Sequence, residues 1–468
     1  MSNLQRGADI AACHRGFNAC SECNGGPDSS GPPSVKGYEQ VIETGLEMSD
    51  SNLLIESLPN GWKNYKFGDL CDRVKDSYQP VENGETPYIG LEHLAQGLPV
   101  LIGKGKESEV KSSKTAFKAG DVLFGKLRPY LRKGTQIEFD GICSTDILAF
   151  RAKTICESNY LKYVIHSDEF IAHAKSTTSG VQHPRTSWPS LREFRISLPP
   201  LPEQKKIAHI LSTVQRSIEA QERIIQTTTE LKKALMHKLF TAGLRNEPQK
   251  ETEIGLVPES WTVCKVGDVA KTQSGGTPSR DVPENWNGGN IPWVKTAEIN
   301  YFVVNDTEEK ITPIGLTNSA AQIFPAGTLL MAMYGQGITR GRVGLLGINA
   351  ATNQACASIT PTDEKQLSSV FMYYFFQYHY ENLRKLGHGA NQRNMNAALI
   401  RGFPLSFPKH DEQTSVVAVF ATLDAKRGHH ERKKAQLQDL FRTLLHELMT
   451  AKTRVHEEDF SDLQQSHE

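Results

Sequence analysis

Long apolar runs are missing from this 468-residue chain. The most apolar stretch, Val370-Phe371-Met372-Tyr373-Tyr374-Phe375-Phe376, falls far short of the roughly 20 residues that span a bilayer. The N-terminus also lacks a basic segment followed by an apolar one, so no secretory leader is expected. These absences predict a cytoplasmic chain with no membrane partner. An excess of either charge is lacking too, with Lys+Arg and Asp+Glu both at 53. That balance hides an uneven distribution. Residues 1–57 carry a net −5 and residues 453–468 a net −4, which leaves +9 on the body between them. Such a body is compatible with a polyanionic partner.

Cysteine is sparse. Cys71, Cys143, Cys156, Cys264 and Cys356 stand singly among apolar neighbours, as reduced core thiols do. Cys13, His14, Cys20 and Cys23 include one metal-like spacing, but the Gly/Pro/Ser-rich segment that follows cannot build a core. Residues 1–57 are read as a disordered extension, with Met48 as an alternative start and no metal site assigned.

Catalytic signatures are also lacking. Gly97 to Gly103-Lys104 has five intervening residues where a phosphate loop needs four, and Gly105 stands where Ser or Thr belongs. Gly335-Gln336-Gly337-Ile338-Thr339-Arg340-Gly341 has the wrong spacing for a dinucleotide fingerprint. No Asn/Asp-Pro-Pro-aromatic tetrad and no nuclease carboxylate cluster is found. The chain is read as having no catalytic residues of its own and binding no cofactor.

What is present is a duplication. Leu58-Pro59-Asn60-Gly61-Trp62 followed by Lys66-Phe67-Gly68-Asp69-Leu70 returns 199 residues later as Val257-Pro258-Glu259-Ser260-Trp261 and Lys265-Val266-Gly267-Asp268-Val269. Thr86-Pro87-Tyr88-Ile89 returns loosely as Ile291-Pro292-Trp293-Val294. Phe117-Lys118-Ala119-Gly120-Asp121-Val122-Leu123 matches Phe324-Pro325-Ala326-Gly327-Thr328-Leu329-Leu330. Pro202-Glu203-Gln204 matches Asp411-Glu412-Gln413, now 209 residues apart. Anchors in one order at nearly constant offset make the chain two copies of one unit.

Each copy opens with short β-branched and aromatic runs between Gly, Pro and Asn, which reads as a compact α+β domain. An aromatic helical segment follows, Tyr160 to Ala174 and Phe371 to Leu386, taken as packing surface. A strand bounded by prolines then leads into a long helix. From Glu203 to about Phe240 there is no Pro or Gly, and Gly243 supplies a stop. Ile207, Leu211, Val214 and Ile218 step by four, three and four, as a coiled-coil seam does. The second helix, about Glu412 to Ala451, shows Val416, Phe420 and Leu423, then Leu437, Phe441, Leu444 and Leu448, with Gly428 weakening its middle. Each rod would be about 57 Å long, too long to pack on its own domain alone. The two are expected to pair antiparallel about a pseudo-two-fold axis, with one domain at each end. Boundaries follow as 58–200 and 257–408 for the domains, 201–243 and 409–452 for the helices, 244–256 for a linker and 453–468 for an acidic tail.

Basic loops recur at matching places. Phe124-Gly125-Lys126-Leu127-Arg128-Pro129-Tyr130-Leu131-Arg132-Lys133-Gly134 corresponds to Tyr334-Gly335-Gln336-Gly337-Ile338-Thr339-Arg340-Gly341-Arg342-Val343-Gly344. Small residues let backbone approach a phosphate, and Arg forks suit phosphate oxygens and guanine edges. Lys126, Arg128, Arg132, Lys133, Arg340 and Arg342 are therefore candidate DNA contacts. A second pair of loops, Gly180-Val181-Gln182-His183-Pro184-Arg185 and Gly389-Ala390-Asn391-Gln392-Arg393, adds Gln182, Arg185, Gln392 and Arg393, since amides can pair with adenine.

Ser197-Leu198-Pro199-Pro200-Leu201-Pro202-Glu203-Gln204-Lys205-Lys206-Ile207-Ala208, running into the long helix, resembles specificity subunits of type I restriction–modification enzymes. So does Lys250-Glu251-Thr252-Glu253-Ile254-Gly255-Leu256-Val257-Pro258-Glu259-Ser260-Trp261 at the opening of the second half. The likeness covers about 58–452. The second copy departs from it at Phe407-Pro408-Lys409-His410-Asp411-Glu412-Gln413. The resemblance implies two target-recognition domains, each reading one half of a split double-stranded DNA site, with the helices as a ruler. It implies docking of two modification (methyltransferase) subunits that use S-adenosylmethionine, and of restriction/motor subunits that use ATP and Mg2+. Two alternatives stay open: a fused nuclease–methylase partner, or a coiled-coil adaptor that binds no DNA.

Overall fold

The computed structural model describes residues 58–335, 338–386 and 395–455. The Cys13–Cys23 cluster, Met48 and the acidic tail beyond Val455 lie outside the described residues. The fold is α+β and duplicated. In the first copy, Lys63–Lys66 pairs antiparallel with Arg195–Leu198, so the domain's first strand lies against the strand that leads into the long helix. Thr262–Lys265 and Pro404–Phe407 pair in the same way in the second.

Two sheets form the body of each domain. The first domain orders Cys71–Arg73, Ile147–Ala152, Val122–Gly125 and Gly134–Gln136 in one sheet. Its second sheet runs Ser77–Tyr78, Lys114–Phe117, Gly141–Cys143, Pro87–Ile89 and Gly105–Lys106. The strand Val122–Gly125 is buried throughout because it serves two cores. Val122 and Phe124 face a helix-lined core with Phe67, Tyr160 and Phe170, while Leu123 faces the inter-sheet core with Ile89 and Phe117. This alternation is the two-residue period of a strand. Leu329 and Met331 against Leu330 and Ala332 repeat it in the second domain.

The aromatic segments supply the helix-lined cores. In the first copy the segment is two helices, Ser158–Val164 and Asp168–Ser176, because Ser167 caps the second by accepting from Phe170 N. In the second copy they are Ser369–Tyr378 and Tyr380–Lys385. Tyr160, Tyr163, Phe170, Phe371, Tyr373, Tyr374, Phe375 and Phe376 are all buried.

The long helices run Leu201–Ala242 and His410–Met449, about 63 and 60 Å at 1.5 Å per residue. The second continues through Gly428 without a break. They are antiparallel: as the index rises on one it falls on the other, from Gln221 with His430 through Lys232 with Asp424 to the Leu244 amide with Glu412. Each domain sits across both rods. Ile207, Leu211 and Ile218 join Phe441, Leu445 and Leu448 in the first domain's core. Met236, Leu239 and Phe240 join Val416 and Phe420 in the second's. The rods thus pair with each other and with both domains. The segment read as a linker opens a hairpin, Gln249–Thr252 against Gly255–Pro258, whose second strand runs on into the second domain.

The Glu-Gln pair at the head of each helix has a physical role. Gln204 Nε2 donates to the carbonyls of Ile155 and Pro199 at 2.9 Å, and its Oε1 accepts from Glu157 N at 2.8 Å. Gln413 repeats this with Gln366, Pro408 and Ser368. One buried amide therefore fastens each helix start to its domain. Gln204→Ala, which strands a donor and two acceptors, is expected to destabilise the chain by about 1–3 kcal/mol. A fall in the urea midpoint at unchanged slope would show it; an unchanged midpoint would sink this role for the amide.

Candidate nucleic-acid interface

The strand Val122–Gly125 delivers the first basic loop. Gly125 N donates to Lys133 O at 2.8 Å and closes the loop at its base. Arg128 and Arg132 take left-handed backbone, φ 51° and 50°, on either side of a single turn, Pro129–Leu131. Such strain costs on the order of 1–3 kcal/mol at a non-glycine residue and persists only where neighbours enforce it. The neighbour is the second candidate loop. Arg128 N donates to Pro184 O at 2.8 Å and Thr186 N to Lys126 O at 3.1 Å. Ser179 and Arg185 exchange both backbone bonds at 2.9 Å, making a short hairpin. Segments more than 50 positions apart thus form one surface.

Side chains on that surface divide into two groups. Arg185 holds Asp146 with two bonds, Nε to Oδ1 at 2.8 Å and Nη2 to Oδ2 at 3.2 Å. The guanidinium beside Asp146 keeps its carboxyl below the usual range despite partial burial. Arg132 donates from Nη1 to His166 O at 3.0 Å and pairs through Nη2 with Asp168. Lys133 Nζ donates to Leu91 O at 2.6 Å. These three cations are engaged inside the protein. Arg128 and Gln182 are exposed and Lys126 half-buried, with no side-chain hydrogen bond or ion pair to a described residue.

The loop faces a spacer rod and is tied towards it through Asp168, the partner of Arg132. Asp168 Oδ2 lies 3.9 Å from His446 Nδ1 on the second long helix. A cavity of about 480 Å³ separates Tyr130–Arg132 from Gln438, Phe441 and Arg442. Behind the loop, His166 is buried, with Nε2 donating to Gly134 O at 2.9 Å and Nδ1 unpartnered. Burial drives its pKa down to about 4.

In the second domain the matching loop is docked on the Tyr380–Lys385 helix. Arg340 Nη2 donates to Arg384 O at 2.8 Å, and the Tyr380 hydroxyl donates to Ile338 O. Arg342 bonds Asn300 through Nη1 and lies 5.7 Å from the Tyr301 ring centroid, while its Nε is buried and unpartnered. Tyr301 itself is left-handed, φ 58°. The rod beneath is the first helix, where His237 Nδ1 meets the Tyr378 hydroxyl at 3.0 Å. Gln392 and Arg393 lie outside the described residues.

Sequence reasoning missed Asp146, Asp168, His166, Asn300 and Tyr301, which hold the basic side chains. No local signal marks them, because each lies far along the chain from the side chain it holds, most of them in turns between elements. Among the described residues, no helix is long and apolar enough to cross a membrane.

A family model described as "Type I restriction modification DNA specificity domain" matches the chain twice, over residues 59–230 and 258–439. The type I restriction enzyme MjaVIII specificity subunit of Methanocaldococcus jannaschii is 24% identical over 420 residues, covering 85% of this chain and 94% of that protein. The EcoDI specificity subunit of Escherichia coli is 25% identical over 202 residues, 42% of this chain and 44% of that one. The fold is also like that of the S subunit of a type I system from M. genitalium, with a TM-score of 0.57 at 13% identity over 84% of this chain and 97% of that one. A chain from a structure of type I R-M complex assembly gives 0.51 at 19%, over 84% and 98%.

His379 in the second domain is buried like His166 and is likewise pushed down to about 4. Below about pH 6.5 the unfolded chain takes up a proton at each imidazole, whereas the folded chain keeps both neutral until about pH 4. The unfolded state then binds more protons, so stability falls with falling pH across that window. Melting curves at about pH 7 and about pH 5 should show this loss. His166→Gln, which keeps a donor for Gly134 but cannot titrate, should lose less; an equal loss would count against the assignment.

Proposed function

Because the chain belongs to the type I restriction–modification DNA specificity family, we propose that it reads a bipartite DNA target, one half-site with each domain, and that the paired helices set the distance between the halves. It is a specificity subunit: it recognises DNA, assembles with methyltransferase and restriction subunits, and is not itself an enzyme. The observation that carries the bipartite reading is the seating of two like domains across opposite ends of one antiparallel pair, with matched basic loops. Half-sites one DNA turn apart, about 34–36 Å, present the same groove face to both domains and fit within a rod of about 60 Å.

The division of side chains supports a narrower set of contacts. In the first domain Lys126, Arg128 and Gln182 meet DNA, while Arg132 and Lys133 shape the loop. In the second, the loop carrying Arg340 and Arg342 does so, with Gln392 and Arg393 on the companion segment. S-adenosylmethionine, ATP and Mg2+ act in the partner subunits.

Two copies of the modification subunit are favoured by symmetry. Leu231 and Leu440 stand 209 residues apart, the offset of the repeat, and are 48% and 45% exposed in the C-terminal thirds of the two rods. An apolar spot presented twice by a pseudo-two-fold suits two identical partners. Leu231→Ser with Leu440→Ser should remove both modification subunits, and either substitution alone should remove one, as read by native mass spectrometry. Retention of both by the double variant would exclude this surface.

The function is tested by single-molecule methylation sequencing of DNA from cells co-expressing the chain with its partners. A bipartite methyladenine motif that requires this chain is expected. Lys126→Ala with Arg128→Ala should weaken binding and reduce the salt slope by about 2, close to 0.9 per phosphate contact, with the second half-site preference intact. An unchanged slope would rule out both contacts.

A further inference from the structure

Val181 is wholly solvent-exposed at the tip of the Ser179–Arg185 hairpin. A branched apolar side chain held wholly in water buries nothing on folding, so packing does not account for it. The hairpin beneath it is nevertheless held rigid. Ser179 and Arg185 exchange backbone bonds, Arg128 N and Thr186 N tie the stem to the neighbouring loop, and the Thr177 and Thr186 hydroxyls lie 3.2 Å apart. Arg185 fixes the base by its two bonds to Asp146. Gly180 turns the chain at φ 91°, where a Cβ would stand 3.2 Å from His183 O. The result is a stiff stem carrying an unsupported tip, Val181-Gln182-His183, with all three residues exposed.

We propose that this hairpin is the base-reading finger of the first domain, with the Val181 methyls packed on the 5-methyl group of a thymine, and that Arg185 is a positioning residue that aims the finger without touching DNA. The inference rests on the DNA-reading function above and deepens it. The loop is closed by a single antiparallel bridge between Ser179 and Arg185, and the groove it would enter is the major one, where thymine presents its methyl. Gln182 and His183 beside the valine carry donors and acceptors for neighbouring base edges. Lys126 and Arg128 at the root lie where the flanking backbone would pass. Asp146, whose carboxylate feels Lys126, is already paired with Arg185, so the root keeps its positive charge. That charge favours a nucleic acid over a basic protein partner.

The test uses the full chain in complex with its modification subunits, on the target found by methylation sequencing. The first half-site is assigned by exchanging residues 58–200 with those of another member. Each thymine in it is replaced in turn by uracil, which lacks only the methyl. One replacement should weaken wild-type binding roughly fourfold, the fold-change of one buried methyl. Val181→Ala should bind the thymine DNA correspondingly less well and be indifferent to that replacement. Wild-type indifference to every replacement, or a half-site without thymine on either strand, overturns the finger. Arg185→Ala should lose the thymine preference with an unchanged salt slope, and the exchange Asp146→Arg with Arg185→Asp should restore it. A slope reduced by about 1 would make Arg185 a phosphate contact and overturn its positioning role. Absence of any salt-dependent, sequence-specific binding by the wild-type complex would instead remove the DNA-reading function itself.

Discussion

Phe240, near the end of the first long helix, stacks on Phe420, near the start of the second, with ring centroids 5.7 Å apart inside the second domain's core. At the opposite end Phe441 packs 6.1 Å from Tyr163 in the first domain's core. Neither core is complete without a piece of both helices. A fully buried aromatic contributes about 1.5–3 kcal/mol, so each domain depends on the far end of the rod that begins under its twin. The separation of the domains is therefore fixed by helix length and not by a flexible linker.

The two ends are alike in plan but not in every bond. Glu203 accepts from Trp62 Nε1 at 3.1 Å and takes two bonds from Arg454, at 2.8 and 3.0 Å. Arg454 also reaches the carbonyl of Asn60, so the segment after the second helix fastens the turn that precedes the first domain's first strand. The repeat puts Trp261, Glu412 and Arg245 at the corresponding places. There Glu412 accepts from the backbone of Leu244, and the buried Trp261 Nε1 has no partner. A polypeptide that continues into the Gln249–Pro258 hairpin solves the same junction by a covalent route.

Rigid aim at the surface comes from ion pairs and hydrogen bonds made inside the protein. Arg132, Arg185, Arg340 and Arg342 all give donors to protein acceptors, and two of the loop arginines, Arg128 and Arg132, sit in left-handed backbone. Preorganised loops bind with less ordering entropy lost. Recognition then falls to the residues these scaffolds leave uncovered.

The sequence by itself determined the duplication, the presence and antiparallel pairing of two long helices, and the family. Those features rest on local periodicity, on Pro and Gly punctuation and on recurrence at fixed offset, all of which are written along the chain. It also located the loops that carry Lys126, Arg128, Gln182, Arg340 and Arg342. Only the tertiary structure decided which basic side chains are engaged. Arg185 meets Asp146 from 39 positions away, and Arg342 meets Asn300 from 42. An arginine in a loop reads the same whether its fork closes on a carboxylate of the same domain or stays open to solvent. Strand order, which brings those partners together, is set by burial of Leu123, Phe124 and Phe150 in cores assembled from the whole domain.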